Sequence, residues 1–435
     1  MTNILKSRLT RKTLVSTLTL EIIIVTVIGW MVMEPVAVGT SIATLPEGYD
    51  CDRLAMLTIS EFKPVSEEYD STLNNPEIKI KSQERLLNMI RGRMDVEKAT
   101  FATYQSPEQS SSSSSMIESD SIYHQDNDEN GVVTYMIQYI PDTDFFSTFG
   151  ITDADGNPFK EPVPTSENCH IITKTLARAI YPNGNIIGKD LYPKEEDDED
   201  YYPTPIIGVT GDISYRKRNG RIAAAFIPQQ RERYSDVISG ITVRIPENVS
   251  PRAFINKITS ELDNYRSGNL YLTKPELYSD MQAKLYASKH RELSRQWIIA
   301  VFFLVNVFLG VAGTFYVQCK TRIPDAGVMR AFGATRRRIK RNIMGEAWLT
   351  VCAGWLAGSV IYLIYLKTQG FQMESDASHV IQAIRPMWYD TAFGRYSIIG
   401  GIILLLLLAM ASLGAWLPAR KVGNVNIVDS LRSEE

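Results

Sequence analysis

Hydrophobic and polar positions are sharply segregated along this 435-residue chain. One apolar run lies near the start, Leu14–Met33, interrupted only by Glu21, and three more lie in the last third, Trp297–Val317, Ala347–Leu366 and Tyr396–Leu417. A helix rises about 1.5 Å per residue, so about 20 residues cross a hydrocarbon layer of about 30 Å, and each run predicts a membrane-spanning helix. Between the first and second runs the pattern changes. Arg53–Phe62 alternates as a strand, Gln83–Met94 has helical spacing, and Lys98–Tyr104 alternates again; later, Ile241–Ile245 predicts a strand, Pro251–Tyr265 a helix with proline in its first turn, and Asn269–Leu272 a strand. Two β-α-β units thus flank the middle of the chain, which predicts an α+β lobe built from both ends with a second lobe inserted between them. The insert, about 106–235, opens on the serine run Ser110–Ser115, read as a flexible surface loop. It continues with a strand at Val132–Ile140, with Cys169–Ile172 leading into a helix near Thr173–Tyr181, and with another strand at Pro205–Ile213.

Charge orients this arrangement. Lys6, Arg8, Arg11 and Lys12 precede the first run without an acid, eight Lys/Arg and the single acid Asp325 lie between Lys320 and Arg341, and Arg420 and Lys421 follow the last run. Basic flanks face the cytoplasm, which predicts an inner-membrane protein with both termini inside and the large domain outside. The expected organisation is a basic N-terminus at 1–13, spans at 14–34, 297–317, 346–366 and 396–417, and an external domain at 35–296. A cytoplasmic segment at 318–345, a short external loop at 367–395 and a cytoplasmic tail at 418–435 complete it. The fold class expected is therefore an α-helical membrane protein with four spans and a two-lobed α+β domain between the first and second. The overall composition, 44% hydrophobic and 22% charged with net charge −3, averages over these zones and hides them. The basic residues cluster beside the spans, so nucleic acid is excluded as a partner and the bilayer is expected.

Within the cytoplasmic segment, Val328, Met329 and Phe332 fall at i, i+1 and i+4, so a short helix would show an apolar tip beside Arg330. Gly333 reads as its stop, and Thr335 as the N-cap of the helix entering the membrane. Such a tip suits a groove on another protein, and the plainer alternative is a basic loop on anionic headgroups.

The stretch GVMRAFGATRRRIKRNIMGEAWL resembles the FtsX-type motif of MacB-like ABC transporter permeases, and the closing PARKVGNVNIVDSLR resembles the C-terminus of that family. YIPDTDFFSTFGI, CHIITKTLARAIYPNGNIIGKDL and PIIGVTGDISYR resemble successive segments of the MacB-type periplasmic domain. The resemblance implies that Ile323, Val328, Met329, Arg330, Phe332 and Gly333 meet a separate ABC ATPase, which would hold ATP and magnesium, and that two permease copies assemble. It implies mechanical work on the far side of the membrane, such as export of antimicrobial peptides, drugs or other envelope substrates, with a periplasmic adaptor and an outer-membrane channel accompanying an efflux role. The competing reading is a mechanotransmitting regulator of envelope signalling or of a cell-wall hydrolase, without cargo.

No catalytic, cofactor or metal constellation stands out. Gly184–Asp190 lacks the glycine spacing and the Ser/Thr of a phosphate loop, and Asp153–Asn157 has its glycine two positions early for a calcium loop. The acidic run Glu195–Asp200 reads as a solvated hairpin tip, and His124, His170, His290 and His379 show no ligand spacing. Cys51 and Cys169 are the pair placed where a disulfide could persist. Gly354 and Gly358 form a small-x-x-x-small spacing for close helix packing within the subunit. Glu21, the only acid within any of the four apolar runs, is expected near the cytoplasmic headgroups. Lys274–Arg295 keeps helical spacing and predicts an outward continuation of the second span.

Overall fold

The computed structural model describes residues 2–44, 46–107, 113–119, 132–164, 169–181, 186–194, 203–213, 224–230, 235–320, 328–329, 332–369, 388–389 and 391–424. By internal contacts the chain divides into a membrane-type helical unit, 1–41, 290–373 and 387–435, and a second unit, 42–289 with 374–386.

The helical unit is built on α1 (Thr2–Ala43), with three further long helices. Among the described residues, four stretches are long and apolar enough to cross a membrane, Leu18–Ser41, His290–Thr314, Arg337–Leu366 and Phe393–Trp416. Buried residues on α1 recur at Leu18, Ile22, Thr26 and Trp30, one per turn, so one stripe faces the bundle.

In the second unit, β1 (Leu54–Glu61) and β2 (Lys98–Thr103) bracket α2 (Pro76–Arg91). Asn75 caps that helix by accepting from the Glu77 N–H, and Pro76 occupies its first turn, where the missing N–H costs nothing. Together with β9 (Ile238–Arg244), β10 (Arg266–Ser267) and β11 (Leu270–Leu277), they form a five-stranded antiparallel sheet in the order β10-β11-β1-β9-β2. The sheet thus draws its strands from both ends of the unit. Leu86, Leu87 and Ile90 of α2, with Phe254 and Ile258 of α5 (Pro251–Glu261), pack against its Leu57, Phe101, Ile241 and Leu272.

The segment between β2 and β9 closes a six-stranded barrel. Its strands are β3 (Ser113–Ser119), β4 (Val132–Tyr139), β5 (His170–Thr173), β6 (Asp190–Lys194), β7 (Thr204–Thr210) and β8 (Ala224–Pro228), in the order β3-β4-β8-β5-β7-β6. The serine-rich run departs from its expectation here. Ser113–Ser115 are ladder positions opposite Met136, Tyr135 and Thr134, because a strand needs backbone partners more than it needs side-chain preference. An aromatic cluster of Tyr139, Phe145, Phe146, Phe149 and Phe226, supported by the short helix α3 (Phe145–Phe149), joins barrel and sheet through Leu54, Met56 and Ala102.

Two further expectations are corrected. Cys51 and Cys169 are not bonded to each other: Cys51 opens a 3-10 turn and is buried in the aromatic core, while Cys169 is buried just before β5. Each thiol is accommodated by burial, as thiols commonly are. The outward continuation of the second span is interrupted, because Lys274–Leu277 belong to β11 and α6 (Tyr278–Leu285) ends at Tyr286, whose backbone leaves the helical region. The second span then starts afresh as α7 (Ala287–Lys320).

Candidate functional site

The segment leading into the third span is built from local rules. Val328 and Met329 are helical, the Phe332 N–H donates to the Val328 carbonyl at 3.1 Å, and Gly333 turns left-handed at φ +84°. The Ala334 N–H then reaches back to the Met329 carbonyl at 3.0 Å, the six-to-one bond of a glycine-terminated helix end. Thr335 starts the next helix, α8 (Arg336–Gln369), with its hydroxyl accepting from the Arg338 N–H at 3.4 Å. Val328 and Met329 are half exposed and Phe332 is 88% exposed. An apolar tip therefore stands next to the exposed Arg337, Arg338 and Arg341, while Ile339 and Ile343 turn inward on the same helix. Ile323 and Arg330, the other two members of the expected interface, lie outside the described residues, as do His124, His379 and Glu195–Asp200.

Gly354 and Gly358 lie against α1. A Cβ on Gly354 would stand 2.6 Å from Ile22 Cγ2, and one on Gly358 would stand 2.7 Å from Thr26 Cβ and 2.8 Å from the Ile23 carbonyl oxygen. Neither helix could approach this closely with a larger residue, so the pair is a packing seam between the first and third spans.

The structure also places charges the sequence reading passed over. Glu34, at the end of the expected first span, lies well inside the apolar stretch Leu18–Ser41 of α1. Glu34 is buried and accepts from the Arg395 guanidinium and the Tyr362 hydroxyl, while Arg395 Nε donates to the Tyr389 carbonyl. Trp30, one turn before Glu34, stacks on Tyr362 at 5.0 Å and on Tyr396 at 6.3 Å, and its ring N–H donates to Ser359 Oγ at 3.2 Å. Tyr396–Gly400 is a π-helical turn ahead of α9 (Gly401–Asn424). The available signal was the position of Glu34 and Arg395 at the edges of two apolar runs, with aromatic residues beside both. The Glu21 carboxylate accepts from Thr314 Oγ1 at 3.0 Å, at the end of the second apolar stretch, His290–Thr314.

Outside the spans, the groups with displaced protonation lie in the barrel unit. Burial pushes the Glu161 carboxyl up to about 7; the Asp142 N–H, donating to it at 3.3 Å, opposes this, and the charges of Asp142 and Asp144 add to it. Burial holds His170 down at about 4, and its Nδ1 has no hydrogen-bond partner among the described residues. Asp153 is held below the usual carboxylate range chiefly by the Asn157 N–H, with the Asp155 N–H also donating, so Asp153–Asn157 is a self-capped turn. Among the described residues there is no group of three or more His, Cys, Asp or Glu able to hold a metal ion.

Comparison with known proteins finds relatives that share these features. Residues 297–427 match the FtsX-like permease C-terminal model, which takes in the last three spans and the segment with the apolar tip. The macrolide export ATP-binding/permease protein MacB of Shigella sonnei is 22% identical over 301 residues, and that of Escherichia coli K12 is 21% identical over the same length. Each alignment covers 67% of this chain and 42% of the relative, so the chain spans less than half the length of the curated relatives it matches. The solved periplasmic region of MacB from Actinobacillus actinomycetemcomitans is 16% identical with a TM-score of 0.30, covering 56% of this chain and 97% of that one. The last three spans and the apolar tip are thus those of an FtsX-like permease C-terminal domain, and the chain as a whole is similar to MacB-type proteins.

Proposed function

We propose that this chain is the permease subunit of a MacB-type ABC transporter, receiving the stroke of an ATPase carried on another chain. The observation that carries this reading is the exposed tip of Val328, Met329 and Phe332, stopped by Gly333 and joined through a capped turn to a helix that enters a span. An apolar side chain such as Phe332, left open beside arginines, is the kind of anchor that fills a pocket on a partner. ATP and magnesium would then sit on that partner. In this reading both termini and the tip are cytoplasmic, and the β-rich domain lies on the far side of the membrane. Exposed aromatics near both ends of the spans, Tyr316, Trp348 and Trp416 towards one side and Trp297, Tyr365 and Phe393 towards the other, fit two interfacial belts. Two copies of the chain would pair with two ATPase subunits, and the cargo class would be peptides, drugs or other envelope substrates, as the name of the macrolide-exporting relatives suggests.

The test is purification of the tagged chain in mild detergent from its native host, with mass spectrometry and an ATPase assay of what accompanies it. A stoichiometric ABC ATPase is expected, and Val328→Glu with Phe332→Glu is expected to release it while the permease remains folded. Retention of the ATPase and of transport by that double variant would refute the tip as the coupling surface. Recovery of a cell-wall hydrolase with the ATPase, and no change in cargo movement, would favour the regulatory role.

A further inference from the structure

We propose that Glu34, Arg395 and Tyr362 form a buried clasp that makes the first, third and fourth spans one body and leaves the second span as the helix that shifts against it. This goes beyond the ATPase-coupled reading and does not depend on it. The clasp joins α1 through Glu34, α8 through Tyr362 and the start of the fourth span through Arg395, and all three side chains are buried. A charge pair withdrawn from water is costly to break, because parting the groups leaves each one buried and unpaired.

Its position in the chain is informative. Pro35, next to Glu34, removes a helical N–H from α1, and Arg395 immediately precedes the π-helical turn of the fourth span. The clasp therefore bridges two helices where their own hydrogen-bond ladders are weakest. Around it, Trp355 Nε1 donates to the Gly400 carbonyl at 3.0 Å, and the Gly354–Gly358 seam continues the contact of α1 with α8.

The second span has no part in this network. Its polar ties to the first span include Trp297 Nε1 to Thr40 Oγ1 at 3.3 Å, which is exposed, and Thr314 Oγ1 to Glu21 at 3.0 Å. Only 11% of its most apolar stretch is buried within the bundle, against 39%, 33% and 44% for the first, third and fourth spans. Three helices are joined by the buried charge network, whereas the remaining one, apart from the close approach of its Ala312 to Gly414 of the fourth span, lies mostly on the outside of the bundle.

The test uses the full-length chain in lipid nanodiscs, with its four cysteines replaced by alanine and spin labels at exposed positions. One pair, Ile24 with Ile364, reports the first and third spans; the other, Ile24 with Leu309, reports the first and second. Labelled chain is diluted with unlabelled chain so that each distance arises within one copy. The expected result is a narrow distance distribution for the first pair and one at least twice as broad for the second. Glu34→Gln should broaden the first at least twofold and leave the second unchanged. Should Glu34→Gln fail to fold, Tyr362→Phe removes only the hydroxyl and should broaden the first pair to a smaller extent. Equal widths for the two pairs in the wild-type chain, or no response of the first pair to either substitution, would overturn the proposal. Because no ATPase enters the measurement, its result is separate from that of the pull-down.

Discussion

The Gly354–Gly358 seam offers a comparison in which one chemical change has opposite signs at two places. Gly354→Ala adds a Cβ 2.6 Å from Ile22 Cγ2 and 2.7 Å from Ile22 Cβ. Carbon atoms rest at about 3.5–4.0 Å, so α1 and α8 must part by about 1 Å or Ile22 must leave its rotamer, at a cost of about 1–3 kcal/mol. Gly358→Ala should cost towards the upper end, because one of its obstacles is the Ile23 carbonyl oxygen, which cannot rotate away. Gly345 and Gly401 lie in the same bundle, and a Cβ on either meets nothing within 4 Å among the described residues. Alanine there removes the conformational freedom of glycine from the unfolded chain and should stabilise by about 0.5–1 kcal/mol. The two classes of variant should therefore differ by about 1.5–4 kcal/mol. Thermal or denaturant unfolding of the purified chain in a single detergent, followed by tryptophan fluorescence, measures this directly, since Trp30 and Trp355 lie beside the seam. The reasoning fails if Gly354→Ala is as stable as Gly345→Ala. The double variant at 354 and 358 should cost less than the sum of the singles, because both are relieved by the same separation of helices.

The remaining predictions concern protonation and thiols. Since Glu161 binds its proton more tightly folded, at about 7, than its ordinary value of 4.5, stability should decline as pH rises from about 4.5 to 7 and level off above. The difference in unfolding midpoint between wild type and Glu161→Gln, followed across that range, should show this slope; a pH-independent difference would rule it out. His170 runs the other way: held at about 4 against an ordinary 6.5, it contributes stability that is complete above about 6.5 and is lost as pH falls towards 4. The stability difference between wild type and His170→Phe should therefore shrink on acidification, as read by the same midpoints. Cys51 and Cys169 should both alkylate in denaturant without prior reduction, and a mass showing a disulfide between them would contradict the buried-thiol arrangement.

Much of the architecture follows from patterns local to the chain. Runs such as Trp297–Val317 predict spans because only continuous apolar helices satisfy the backbone in hydrocarbon. Gly333 and Thr335 mark one helix end and the next helix start because positive φ and an N-cap hydroxyl are requirements of single residues. The alternating stretches flanking the middle of the domain likewise predict strands that meet in one sheet. What remained out of reach depended on partners distant in sequence. Ser113–Ser115 enter the barrel because β4 and β6 offer backbone groups on either side of β3, which no serine preference announces. Cys51 and Cys169 stay unbridged although both are buried, since spacing along the chain does not say which thiols the fold brings together. Glu34 and Arg395, 361 positions apart, are tolerable in an apolar bundle only because folding brings them together with Tyr362. Composition and periodicity determined which segments enter the membrane and which form strands, since those depend on each residue's own exchange between water, hydrocarbon and backbone bonds. Tertiary structure alone decided which buried charges are paired and which helices are locked, since those depend on distances between residues far apart in the chain.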